Sequence, residues 1–139
     1  MTRIDLRSLR AVFTVFVVGF AVTLVGCASL GPVTPVAVSD IKTVAGTWRG
    51  TLYQSGLAPD QVKLTIREDG SYDVVSTLPV GTSRGHGKIV ISDGRLIFEG
   101  EKGRGVGTLR KNAAGALVLD VDATLTDNSI VSARLYPSS

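Results

Sequence analysis

From Thr47 onward the chain keeps a period of two, and turn residues interrupt it every eight to twelve positions. Gln61 to Arg67 shows it best: Val62, Leu64 and Ile66 fall on one side, Lys63, Thr65 and Arg67 on the other. Successive side chains of an extended strand point to opposite faces, so this run has one buried and one wet face. A helix would scatter the same residues around its axis. Asp69-Gly70 follows, and Ser71 to Thr77 resumes the alternation with Tyr72 and Val74 on one face. Asp-Gly between alternating runs marks a tight hairpin, because both central positions of its turn favour a positive φ. The pair recurs at Asp93-Gly94, between Lys88–Ser92 and Arg95–Glu99. Asn112-Ala113-Ala114-Gly115 joins Val106–Lys111 to Ala116–Thr124, and Asp127-Asn128 leads into Ser129–Tyr136. With Thr47–Gln54 in front, these runs make about eight short strands.

Consecutive hairpins place neighbours antiparallel, and no segment between them is long enough for a crossover helix. The expected fold class is therefore all-β: a small antiparallel up-and-down barrel of about eight strands, with a β-sandwich as the alternative. Closure favours the barrel because it removes the free strand edges that invite aggregation. The candidate inward residues are Leu52, Val62, Leu64, Ile66, Val74, Ile89, Ile91, Leu96, Phe98, Leu117, Leu119 and Val121. They are mostly bulky aliphatics on short strands, which argues for a filled interior. Eight strands enclose either packed side chains or one small ligand.

The chain ahead of the strands reads as an address. Arg3, Arg7 and Arg10 stand against Asp5, and Ala11 to Val25 carries no charge. A helix over those fifteen residues covers roughly 22 Å, short of the ~30 Å hydrocarbon core of a bilayer. The basic start and short apolar run are those of a secretory signal helix. The run ends on Leu24-Val25-Gly26-Cys27, which contains the chain's single cysteine. This stretch resembles the lipobox of bacterial lipoproteins. The resemblance implies that Leu24, Val25 and Gly26 are read by the signal peptidase and that a diacylglyceryl group is attached to the Cys27 thiol. It also implies cleavage before Cys27 and acylation of the new amino terminus. Ala28 and Ser29 follow where an Asp would favour the inner membrane, so the implied destination is the periplasmic face of the outer membrane.

On this reading residues 1–26 are the signal peptide, 27–40 the lipidated N-terminus and linker, and 41–139 the barrel domain. Ala28 to Ser39 has two prolines, a glycine and no charge. It is expected to be an extended, unpaired tether reaching ~35 Å, since Pro32 and Pro35 cannot donate to a ladder. Ser39 or Asp40 would cap one helical turn over Ile41 to Ala45. Removing the signal leaves 113 of the 139 residues and takes Arg3, Arg7, Arg10 and Asp5 from a net charge of +3. The remaining domain sits near +1, so the basic balance belongs to the address and makes no case for nucleic acid. With Cys27 acylated no thiol is left for a disulfide, metal or redox site.

Nothing in the strands assembles a catalytic set. His86, in Arg84-Gly85-His86-Gly87-Lys88, is the sole histidine and reads as a solvated loop residue without an orienting acid or nucleophile. Asp120 and Asp122 share a strand face, but their alternation with Leu119 and Val121 turns them to solvent. Lys102-Gly103-Arg104-Gly105-Val106-Gly107 lacks the Gly-Lys-Ser/Thr ending and the helix of a phosphate loop; its glycines suit a twisted barrel strand. The expectation is no enzyme, no metal, and no cofactor beyond the acyl groups on Cys27.

Gly46-Thr47-Trp48 resembles the Gly-x-Trp signature that opens the first strand of lipocalins and related calycin barrels. The resemblance implies that Trp48 plugs the closed end of the barrel and that an arginine of the last strand, Arg134, lies across it as a cation–π partner. Read from the pattern alone, Trp48 is equally an ordinary core aromatic on a face with Leu52, and Arg134 points outward between Ala133 and Leu135. The expected function is that of a lipid-anchored envelope lipoprotein, held to the membrane through its lipid. Its barrel would act as a non-catalytic interaction or structural module, inhibitor-like in one version, engaging another envelope protein. The alternative is a lipocalin-like carrier of a small apolar ligand.

Overall fold

The computed structural model describes residues 32–78 and 81–139. The expected signal segment and the lipobox-like stretch Leu24-Val25-Gly26-Cys27 lie outside the described residues. The strands are β1 (Thr34–Pro35), β2 (Gly46–Gln54), β3 (Asp60–Ile66), β4 (Ser71–Leu78), β5 (Gly81–Ser92), β6 (Arg95–Gly100), β7 (Gly103–Lys111), β8 (Leu117–Leu125) and β9 (Ile130–Ser138). From β2 to β9 each strand pairs antiparallel with the next, and β9 returns to pair with β2 from Thr47↔Ser138 to Gln54↔Val131. The sheet thus closes into an eight-stranded up-and-down barrel, and the sandwich alternative falls away. Gly31–Ser139 is a compact unit whose core is made from its own residues.

The turns follow local chemistry. Asp93 and Gly94 both adopt positive φ, 51° and 73°, the mirror-image turn that matches strand twist. At Asp69-Gly70 only Gly70 does, at 83°, because Arg67 and Glu68 widen the connection. There Arg67 N donates to Ser71 O at 2.9 Å, and Asp69 accepts from both Ser71 N at 2.8 Å and Ser71 Oγ at 2.6 Å. Those bonds hold the Asp69 carboxyl below the usual carboxylate range. Asp127 repeats the device on Ser129, with bonds of 2.9 and 2.5 Å and the same downward shift.

At the end of the barrel where the chain enters, the interior is filled. Leu96, Leu109 and Leu119 are fully buried there, with Ile66 and Ile89 beside them. Asp40 caps the expected helical turn, a 3-10 turn over Ile41–Thr43, accepting from Lys42 N at 3.0 Å. Val44 closes that turn and accepts from Trp48 Nε1 at 2.8 Å, inside the core.

The second half of the expected tether is not free. Thr34 and Pro35 bridge to Lys111 and Arg110 on β7, Val36 N donates to Leu109 O at 2.8 Å, and Val38 N donates to Gly94 O at 2.9 Å. The barrel unit therefore takes in residues ahead of 41. The prolines do not prevent this. β7 runs past the end of β6, and the donors used on the strap are Val36 and Val38, a register in which Pro35 is not called on to donate. Val38 is only 2 % exposed, so the strap adds apolar burial to its backbone bonds.

Two strands are longer than the alternation indicates. β5 begins at Gly81 rather than Lys88, and β7 at Gly103 rather than Val106. In both added stretches the inward positions are glycines and, on β5, Ser83, so no apolar rhythm marks them as strand.

Candidate functional site

Those glycines create the site. Gly85 on β5 and Gly103 and Gly105 on β7 line the half of the barrel away from the chain entry. The same wall holds Leu52, Val62, Val74, Val121, Ala123, Val131 and Ala133, and Leu64, Phe98 and Leu135 are shared with the filled core. Too few side-chain atoms point inward to fill the space, and a cavity of about 290 Å³ remains. A side chain at Gly85 would enter it: an added Cβ would meet Val74 Cγ1 at 3.2 Å and Lys102 Cδ at 3.7 Å. Tyr72 packs edge-on against Phe98, centroids 5.1 Å apart at 77°, and lines the same wall. Burial, with a smaller contribution from Glu101, pushes the Tyr72 phenol above its ordinary value. The expectation of a filled interior thus holds for one half of the barrel and gives way in the other.

Polar groups gather where the cavity opens. Asp60, the first residue of β3, shares the inward face of Val62, Leu64 and Ile66 and is 8 % exposed. Its Oδ2 is 3.5 Å from the Ser76 hydroxyl, while its buried Oδ1 has no hydrogen-bond partner among the described residues. On the neighbouring strand Ser83 accepts from Lys102 Nζ at 3.1 Å. Outside the rim, Arg104 is bonded to Glu99 at 2.5 Å and His86 Nδ1 lies 3.4 Å from Glu101. The chamber is therefore apolar within, with one buried carboxyl group near its mouth.

No protein-family model, curated protein or solved structure matches this chain. The site has to be read from its own residues.

Trp48, 3 % exposed, sits in the core at the filled end. Arg134 is not brought to it. Arg134 stands opposite Thr51, which has the other strand parity from Trp48, and its guanidinium binds Asp120 on the outer surface through Nε at 2.8 Å and Nη2 at 3.2 Å. That ion pair raises the Arg134 pKa further. Asp120 also lies 3.0 Å from Arg110 Nε, and Asp122 accepts from Ser132 at 2.6 Å, so both aspartates belong to the outer face. His86 is exposed beside the rim, on β5 rather than in a loop. No cluster of three or more His, Cys, Asp or Glu side chains among the described residues is arranged for a metal.

Sequence reasoning missed Asp60 and the inward glycines. Asp60 had a signal: counting back by two from Ile66 through Leu64 and Val62 lands on it. Placing the strand start at Gln61 left this carboxylate in the preceding loop.

Proposed function

We propose that this chain is a bacterial envelope lipoprotein whose barrel carries a small apolar molecule in its open half. What carries the reading is the cavity of about 290 Å³, lined mainly by aliphatic side chains and bare glycine backbone. Gly103 and Gly105 are kept bare by the close approach of Thr124 and Ala123 on β8, but Gly85 has room for a small side chain, and a wall meant only as a scaffold would fill such a position because unfilled space forfeits packing energy. The Leu24-Val25-Gly26-Cys27 lipobox supports a lipid-anchored molecule, and Ala28 and Ser29 support the periplasmic face of the outer membrane. A tethered carrier needs no catalytic set, in keeping with the outward positions of His86, Asp120 and Asp122. The interaction-module reading has no comparable cavity behind it: the prominent outer cluster joins the half-buried Arg110 and Asp120 to the exposed Arg134, and the ion pairs of Asp120 are made within the barrel wall itself.

An apolar cavity of ~150 Å³ accepts one benzene, so this one suits a ligand of about a dozen non-hydrogen atoms. The test is displacement of a fluorescent apolar probe from the Gly31–Ser139 unit by alkyl compounds of graded length. Saturable one-to-one binding, strongest at about eight to ten carbons and weaker beyond, is expected from that volume. Absence of saturable binding at every length would return the protein to a surface-acting role.

A further inference from the structure

Asp60 is the one buried charged side chain in the described barrel, and it faces an apolar chamber. A carboxylate removed from water costs several kcal/mol unless its oxygens are bonded and its charge is met. Among the described residues its only side-chain bond is the long 3.5 Å contact from Ser76 to Oδ2, and Oδ1 receives nothing. Of the cations lining the cavity, Lys102 donates to Ser83, and none of Lys102, Arg84 and Arg104 forms an ion pair with Asp60 among the described residues. Arg104 and His86, at the cavity edge, are taken up by Glu99 and Glu101. Among the described residues the other buried side-chain polar atom without a hydrogen bond, Arg110 Nε, still has Asp120 Oδ2 at 3.0 Å, and at the filled end the Trp48 indole N–H is bonded to Val44 O. An acceptor left over in so apolar a place is matched by a donor that arrives with the ligand.

The geometry points to Asp60 as the polar anchor of the cavity: we propose that the carried molecule has an apolar body and a hydrogen-bond-donating head, and that an amine is preferred to a carboxylic acid. This rests on the carrier reading and specifies its ligand class. An ammonium head supplies both the missing donor and the missing counter-charge, and charge-assisted bonds are about twice as strong as neutral ones. A hydroxyl head supplies the donor alone. A carboxylate head would set two like charges together in a low-dielectric space. Reach is adequate, because Asp60 lines the same cavity as Leu64 and Phe98, so a head at Asp60 leaves its tail directed at the apolar floor.

The experiment compares n-octylamine, 1-octanol and octanoate, which share one tail, by calorimetric titration of the Gly31–Ser139 unit and of Asp60→Asn and Asp60→Ser variants. The wild type is expected to bind the amine about tenfold tighter than the alcohol, with octanoate weakest. Asp60→Asn should remove the amine's advantage and leave the alcohol within about threefold. Asp60→Ser, which takes the charge away with a smaller side chain, should do the same. Trp48 emission checks that each variant is folded. Equal binding of all three compounds, unchanged in both variants, would overturn the anchor while leaving a carrier. Octanoate binding tightest, and tighter still in Asp60→Asn, would also overturn it and assign the selectivity to the basic rim. Failure of all three to bind anything would take down the anchor and the carrier together.

Discussion

Leu64→Ala and Leu109→Ala remove the same atoms from opposite halves of the barrel, and the difference between them measures whether the open half is hollow. Leu64 is 3 % exposed and lines the cavity; Leu109 is fully buried at the filled end, away from it. Both changes lose three carbons, worth ~2.4 kcal/mol of transfer at ~0.8 kcal/mol each. At Leu109 the hole left behind is new, since packed neighbours surround the side chain. Roughly 80 Å³ of unrelaxed space at ~24 cal/mol per Å³ adds about 2 kcal/mol, for a total near 4–5 kcal/mol. At Leu64 one side of the chain already borders the 290 Å³ space, so fewer contacts are lost. Its cost should stay near ~2–3 kcal/mol, close to the transfer contribution alone. Urea unfolding of the Gly31–Ser139 unit, followed by far-UV circular dichroism and fitted with a common slope, resolves a gap of ~2 kcal/mol. Leu64→Ala should also shift the preferred alkyl ligand to longer chains. Equal costs for the two variants, or a larger one at Leu64, would refute the reasoning, because the open half would then be as tightly packed as the closed one.

The filled end yields a companion test: Trp48→Ala should cost ~3–5 kcal/mol, and Trp48→Phe, which strips the donor from the Val44 carbonyl, ~1–3 kcal/mol. Native Trp48 should emit as a buried indole, and Arg134→Ala should leave that emission unchanged while costing no more than ~1 kcal/mol; a red shift in that variant would bring the arginine back to the tryptophan. Asp69 and Asp127 titrate lower when folded than unfolded, so their stabilisation is complete above the unfolded carboxylate range and is lost as pH falls through the depressed native values. The Asp69→Asn, Asp127→Asn double variant should therefore approach the wild type in urea midpoint on going from about pH 6 to about pH 2, and a constant gap would count against the two serine-bonded turns. Cys27→Ser should leave an uncleaved precursor in the envelope, and cleavage at the same bond without the thiol would remove the lipobox from the argument.

Local pattern carried much of this fold. Alternation marked Val62, Leu64, Ile66, Phe98 and Leu119 as inward, and all of them lie in the core. Asp93-Gly94 forms its mirror turn, and Asp40 caps the turn at Ile41. Each depends on residues within a few positions of one another, or on a strand's own two-fold rhythm, so a single stretch of sequence is enough to decide it. The strap of Val36 and Val38 is different: its partners, Leu109 and Gly94, exist only because β7 outruns β6 in the closed sheet. Alternation already offered Arg134 an outward place between Ala133 and Leu135, but its partner Asp120 was fixed only by the register of β8 against β9. The cavity is the clearest case. Gly85 and Gly105 carry no hydrophobic signal, and the space they leave depends on what Leu52, Val62 and Val131, from strands far along the chain, fail to fill. Strand and turn are properties of neighbouring dihedrals, whereas a void is a sum of side-chain volumes over the whole barrel wall, and that sum is taken only when the sheet closes.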